Sequence, residues 1–260
     1  MSAGEVIAVV HAKGTSLRVP GKNLRMLGDR PLFCHAIANA RAARRVDRVV
    51  IDSEAEEILR IGCEWGAEAL RRPASLASNL ATGDDLALWQ AQSFADSRIV
   101  VQVVPTSPFL SPTSIDRAVE MLLEDPLAHS VVGVFAEPLY LWSAGRPAYY
   151  HPDGTIPNSF EMEPFVYETT GLYANRTEAV LATGRRLSPD RCRLLRLSRI
   201  EAVDVNTVED FEFAEAIWRG LRVASAAGRS VPAAASLALS PSRSAPAASD
   251  SSSPACGTAG

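Results

Sequence analysis

Residues 6–23, VIAVVHAKGTSLRVPGKN, decide how this chain is organised. Val6 to Val10 is an unbroken apolar run, short enough to be one buried strand. The stretch after it, HAKGTSLRVPGKN at 11–23, reads as a phosphate-gripping loop. Gly14 and Gly21 let backbone N–H groups approach a ligand closely, Thr15 and Ser16 add hydroxyl donors, and Lys13, Arg18 and Lys22 bring positive charge into the same small space. Charge density alone fits an ordinary strand-to-helix connection with solvated side chains equally well. The order of the residues favours a polyphosphate.

Working outward, short β-rich runs alternate with amphipathic helical patterns, the signature of an α/β sheet covered on both faces. Pro31 stands at a helix first turn, with Phe33, Ile37, Ala40 and Ala43 as its apolar stripe. Arg48 to Ile51 is the next strand, and Ser53 with Glu56 forms an expected capping box for a helix that Gly66 ends. Glu68 to Leu70 is a third strand, Thr82 opens a helix through Trp89, and Ile99 to Val104 is the most apolar strand. Ser111-Pro112 opens another helix, and Ser130 to Phe135 is a strand. Glu137 to Phe165, rich in proline and aromatics with an HPDG turn at 151–154, reads as an antiparallel insertion. Tyr167 to Ala174 is a strand and Thr177 to Thr183 a short helix. Thr207 with Asp210 caps a last helix that turns Ala214, Ile217, Trp218 and Leu221 inward.

The chain has 260 residues, 47% of them apolar, enough for one large or two small domains with a real core. It divides into residues 1–223, carrying the insertion at about 137–165, and an Ala/Ser/Pro-rich tail at 224–260 that is expected to be disordered. No apolar run reaches the roughly 18 residues of a membrane span and no signal-peptide pattern opens the sequence, so a cytoplasmic protein is expected. A net charge of −4 argues against nucleic acid as partner. Cys34, Cys63, Cys192 and Cys256 lack metal-site spacing, and the first two read as buried reduced thiols. His11, at a strand end, and His35, in a helix, are read as hydrogen-bonded structural histidines rather than general bases.

Several segments in this order resemble the acylneuraminate cytidylyltransferases, enzymes that activate sialic acid and related 3-deoxy-2-keto sugar acids as CMP conjugates. They are AKGTSLRVPGKN at 12–23 with LRMLGDRPL after it, RRPASLA at 71–77, PTSP at 105–108, ETTGLY at 168–173 and VDVNTVEDFEFAE at 203–215. The resemblance covers roughly residues 5–220. It implies a three-layer α/β/α Rossmann-like nucleotidyltransferase fold, CTP as donor, Mg²⁺ as cofactor, an anionic small-molecule acceptor, and a homodimer formed through the insertion. The acceptor hydroxyl would attack the α-phosphorus and expel pyrophosphate, a step that needs charge neutralisation and in-line positioning more than a covalent nucleophile.

Residue by residue, the resemblance implies triphosphate binding by Lys13, Ser16 and Lys22. Asn23 and Arg72 would lie around the nucleoside, with Ala81 nearby; the alternative for Arg72 is a surface ion pair. Asp204 matches the first acid of the family's D-x-D pair and is the expected metal ligand, with Asn206 in the second acidic place, able to offer only a neutral oxygen. Lys22 and Asp204 are the expected catalytic residues. Thr106, Ser107, Thr169, Thr170 and Tyr173 are acceptor-site candidates.

Leu17 replaces a frequent Lys, while Val104 and Leu110 stand where many members have Gln and Arg. These losses disfavour ordinary sialic acid and leave room for a related sugar acid or a small acid such as a phosphonate. A nucleotide-binding regulator without activity is the other alternative. A glycosyltransferase is disfavoured, because its D-x-D would be expected where VVPTSP stands.

Overall fold

The computed structural model describes residues 4–151 and 154–227. In chain order the elements begin with β1 (Val6–His11), a two-strand hairpin β2 (Met26–Leu27) and β3 (Arg30–Pro31), and α1 (Leu32–Ala42). They continue with β4 (Arg48–Ser53), α2 (Glu56–Glu64), β5 (Glu68–Arg71), α3 (Gly83–Ser93), β6 (Ile99–Val103), α4 (Pro112–Glu124) and β7 (Ser130–Glu137). A second small hairpin, β8 (Trp142–Ser143) and β9 (Arg146–Pro147), precedes β10 (Phe165–Arg176), α5 (Thr177–Thr183), β11 (Cys192–Arg196) and α6 (Val208–Ala226).

The central sheet has the order β11-β7-β10-β6-β1-β4-β5. Every neighbouring pair in it is parallel except those made by β10, which runs antiparallel to both β6 and β7. The apolar run at 6–10 is central because β1 is covered on both faces. Val6, Ala8 and Val10 pack with Phe33, Ile37, Ile58, Ile115 and Val119 from α1, α2 and α4. Ile7 and Val9 point the other way, with Val50, Val100 and Phe94. On that second side α3 and α5 meet through Ala87, Ala91 and Val180. The last helix closes the molecule elsewhere: Phe211 and Ala214 of α6 pack with Leu27 and Leu32 beside the first hairpin. The expected α/β/α architecture is thus present, with an antiparallel hairpin inside the insertion.

Several local expectations change. Ser53 does not cap α2: Ala55 holds that place without a side-chain cap, and Ser53 Oγ accepts from the Ala55 amide instead. The reason is that β4 runs two residues further than its apolar residues suggest, and Ser53 O accepts from Arg72 N beside β5. Cys63 is exposed rather than buried, whereas Cys34 is buried. β11 was not legible as a strand. The last helix runs on to Ala226, past the expected boundary at 223; the rest of the expected disordered tail, Cys256 included, lies outside the described residues. Thr82 with Asp85 and Thr207 with Asp210 form full capping boxes, so α3 and α6 begin at defined places beside the carboxyl edge of the sheet.

The loop between β11 and α6 is fixed from below by one buried carboxylate. Glu201 Oε1 accepts from Ser111 N, Ser111 Oγ and Ser114 Oγ at 3.1, 2.6 and 2.6 Å, and Oε2 accepts from Ser198 N and Oγ at 3.0 and 2.8 Å. Burial pushes this carboxyl up, but the donors of Ser111, Ser114 and Ser198 outweigh it and hold it below its ordinary value of 4.5. A depressed carboxyl contributes stability above its unfolded value and loses it as pH falls through the folded one. Glu201→Gln, which turns an amide toward hydroxyl donors, is therefore expected to lower stability by about 2 kcal/mol at neutral pH. In urea titrations the gap to the parent should narrow as pH drops below 4.5; a constant gap across that range would overturn the account.

Candidate active site

The parallel strands β1, β4, β5 and β6 all end on one edge, where open α/β sheets bind ligands. A cleft of about 450 Å³ opens there, lined by His11, Lys13, Thr15, Ser16, Leu17, Arg18, Lys22, Asn23, Arg72, Asn79, Leu86, Val104, Pro105 and Thr106. The loop predicted to grip phosphate thus forms one wall. Gly21 adopts φ 62°, a left-handed turn that costs glycine little, and it starts the single helical turn Lys22–Leu24. Asn23 is buried and donates from Nδ2 to Lys13 O at 2.8 Å, so it holds the loop's shape from beneath.

Individual side chains divide by what they touch. Lys13 Nζ reaches across to Ser78 O at 3.3 Å and Asn79 Oδ1 at 3.0 Å, linking the loop to the segment after β5. Ser16 Oγ accepts from Val19 N at 3.4 Å. Gly14 is not among the lining residues, and its amide donates to Glu54 Oε1 at 2.8 Å. Ala81 is not a lining residue either. Leu17 stands 84% exposed at the cleft mouth. Lys22 Nζ donates to Val205 O at 2.9 Å. Burial lowers the affinity of that amine for its proton, Asp204 raises it and Arg18 lowers it, with a net downward shift from 10.5.

Arg72 is not a surface ion pair. It is buried, with Nε on Asp52 Oδ1 at 3.0 Å and one terminal nitrogen on Asp52 O at 2.9 Å. Asp52 Oδ2 in turn accepts from Gln90 Nε2 at 2.8 Å, and Gln90 Oε1 accepts from Gln102 Nε2 at 2.8 Å. Asp52, Gln90 and Gln102 thus form a buried polar chain beneath the cleft that fixes the guanidinium before any ligand arrives. None of the three was singled out in the sequence. The available signals were a carboxylate at the carboxyl end of an apolar strand and a glutamine inside the most apolar strand. His11 also corrects expectation: it lines the cleft, and its buried Nδ1 has no partner in the structure. Burial, then the charges of Arg72 and Arg186, lowers its pKa from 6.5 to about 3, so the ring is neutral at physiological pH. His35 is hydrogen-bonded as expected, to Leu27 O at 2.9 Å.

Asp204 is not among the lining residues of the cleft, but it lies close enough to Lys22 to raise that amine's affinity for a proton. Its Oδ2 accepts from Thr170 Oγ1 at 3.2 Å and from Asn206 Nδ2. Its Oδ1 is buried and has no partner among the described residues. An orphaned carboxylate oxygen on a side chain within electrostatic reach of Lys22 suits a hard cation, and Mg²⁺ uses one or two carboxylates together with phosphate oxygens and water. Asn206 departs from the ligand role, because its Oδ1 accepts from Arg18 at 2.6 Å while its amide nitrogen faces Asp204. Among the described residues no group of three or more His, Cys, Asp or Glu side chains is placed to hold a metal ion.

The acceptor candidates are spread over two depths. Thr106 lines the cleft. Thr170 reaches Asp204 from a strained position, φ 59°, inside an irregularity of β10 between Glu168 and Tyr173. Thr169 is buried, its hydroxyl donating to Gly133 O at 3.1 Å, and Ser107 is buried with Oγ unpartnered. Tyr173 is buried, donating to Glu168 Oε2 at 2.9 Å. Val104 lines the cleft, but Leu110 belongs to the main core, so the absence of an arginine there removes nothing from the cleft wall.

Residues 7–145 match the cytidylyltransferase family. The chain is 27% identical over 232 residues to the CMP-N,N'-diacetyllegionaminic acid synthase of Legionella pneumophila, covering 81% of this chain and 94% of that one. It is 26% identical over 247 residues to the 3-deoxy-manno-octulosonate cytidylyltransferase of Synechococcus elongatus, covering 84% and 99%. A solved structure of a CMP:2-keto-3-deoxy-manno-octonic acid synthetase complexed with CTP superposes with a TM-score of 0.64 at 15% identity, over 84% of this chain and 99% of that one.

Proposed function

Because the chain belongs to the cytidylyltransferase family, we propose that it transfers CMP from CTP to an acidic acceptor, a 3-deoxy-2-ulosonic acid or close relative, with release of pyrophosphate. The observation that carries this is a basic cleft with an unpartnered carboxylate oxygen close by. Lys13, Arg18, Lys22 and Arg72 border the cleft, and Asp204, whose buried Oδ1 has no partner among the described residues, lies near enough to Lys22 to raise its affinity for a proton. The cations neutralise the triphosphate, and Lys22, held on Val205 O beside Asp204, is positioned for the charge that builds on the departing pyrophosphate. The preset Arg72 guanidinium directs its remaining edge to the nucleotide. Asp204 Oδ1 would hold Mg²⁺, which when bound supplies Lewis-acid neutralisation of phosphate charge. His11, uncharged near neutrality, offers a neutral hydrogen-bonding ring rather than a cation.

The decisive measurement is pyrophosphate release by the purified chain with each nucleoside triphosphate, Mg²⁺ and a panel of ulosonic acids and phosphonates. Release with CTP and one or more ulosonic acids is expected. CTP binding without release from any pair would favour a regulator, and release only with a phosphonate would replace the sugar acid.

The insertion supports a homodimer. Trp142, Tyr149 and Phe160 are 63%, 64% and 82% exposed, and Val166 and Tyr167 of β10 are exposed as well. Exposed aromatic side chains of this kind are typical of an interface core. Trp142→Ser combined with Phe160→Ser is expected to convert a sedimenting dimer into a monomer with unchanged circular dichroism; a parent protein that sediments as a monomer at tens of micromolar, to order of magnitude, would refute the dimer. Among the described residues no helix is long and apolar enough to cross a membrane. A cytoplasmic location follows from the proposed use of CTP.

A further inference from the structure

A second cavity, of about 360 Å³, lies on the side of the sheet that carries α3 and α5, lined in part by Asp84, Glu168 and Arg186. We infer that it is the acceptor-acid subsite and that Arg186, in the segment between α5 and β11, is the specificity-determining residue that binds the acceptor's carboxylate. The inference rests on the cytidylyltransferase reading and adds to it a residue outside the segments that carry the family resemblance.

Arg186 is half-buried, yet no carboxylate lies within ion-pair distance of its guanidinium among the described residues, and the guanidinium makes no hydrogen bond there. Its place is nevertheless fixed from three sides. The guanidinium stacks 3.9 Å from the Tyr173 ring centroid. Its backbone N–H donates to Asp84 Oδ1 at 3.0 Å, tying the segment to the first turn of α3. Gly83 leaves it room: a Cβ there would stand 2.4 Å from the guanidinium carbon. A planar donor fork that is held still and lacks an anion is a preorganised carboxylate receptor.

The neighbours locate that receptor relative to the chemistry. Tyr173 feels the charges of both Arg186 and Asp204, and His11 those of both Arg72 and Arg186. The guanidinium therefore acts on His11, which lines the nucleotide cleft, and shares Tyr173 as a neighbour with Asp204. Glu168, exposed and using one oxygen for the Tyr173 hydroxyl, gives the cavity an acceptor for ligand hydroxyl or amide donors. A cation paired with such an acceptor suits a polyhydroxylated acid better than a small acid with nothing to donate.

The test compares the full chain with Arg186→Gln, Arg186→Lys and Gly83→Ala, the last displacing the guanidinium without removing it and favouring the helix. Pyrophosphate release is followed with CTP, Mg²⁺ and either 3-deoxy-manno-octulosonate or N-acetylneuraminate, each also as its C1 amide, and CTP affinity is titrated separately. Arg186→Gln should raise the acid's KM roughly tenfold to a hundredfold, leave the amide's KM and the CTP affinity within about twofold, and abolish discrimination between acid and amide; Gly83→Ala should move the same way. Retained discrimination in folded Arg186→Gln and Gly83→Ala would overturn the assignment. Should the parent release no pyrophosphate with any acid, the transferase reading fails separately. Saturation-transfer NMR of the two acids then decides the subsite: signal lost in Arg186→Gln supports it, and equal signal overturns it.

Discussion

Asp204→Ala is expected to reduce pyrophosphate release by more than about a thousandfold while leaving the folded protein as stable as its parent or slightly more so. The two halves of that expectation come from the same atom. Oδ1 is buried without a partner, an arrangement that disfavours the apo fold and makes sense for a residue waiting on a cation. Removing the carboxylate deletes a buried oxygen that has no partner, which offsets the lost bonds to Thr170 and Asn206, so thermal unfolding should not move down. CTP binding without Mg²⁺ should change little, whereas the Mg²⁺ dependence of CTP binding should be lost. Turnover within tenfold of the parent would exclude Asp204 from the chemistry.

Lys22→Ala should rank second, with kcat/KM falling by about a hundredfold to a thousandfold. Lys22→Arg should not restore it, because a planar fork cannot take the compact place of an ammonium seated on Val205 O. The pH dependence gives an independent check. The folded amine releases its proton below the ordinary value of 10.5, chiefly because it is buried. The folded state therefore binds fewer protons than the unfolded chain between the two values, and stability should gain with rising pH over that window while turnover declines. Lys22→Ala should remove the stability trend; parallel stability profiles for parent and variant would contradict this role.

Much of the scaffold is legible where local chemistry decides the outcome. Val6 to Val10 leaves no alternative to a buried strand, and Thr82–Asp85 and Thr207–Asp210 announce their helix starts because a hydroxyl and a carboxylate three residues apart satisfy free amides reciprocally. Cys192–Arg196 is not legible: CRLLR places charges beside leucines, and only pairing with β7 makes it a strand. The same division runs through the site. Lys13, Ser16, Arg18 and Lys22 share one loop, so the sequence displays them together. Asp52, Gln90 and Gln102 come from a strand, a helix and another strand, and only the sheet order brings them under Arg72. Arg186 carries no motif at all, and a packed tyrosine and a nearby glycine give it its place.

The insertion leaves the sheet at Glu137 and returns at Phe165, and these two residues pair directly across β7 and β10. Its ends are therefore clasped side by side, so a change of length between them is taken up in the loop. Lengthening a loop so closed costs only about 0.6 kcal/mol per doubling. The excursion is in effect a removable cassette: evolution can exchange it, or an engineer can graft another, and alter the surface it presents without moving Arg72, which follows β5 at the far end of the sheet.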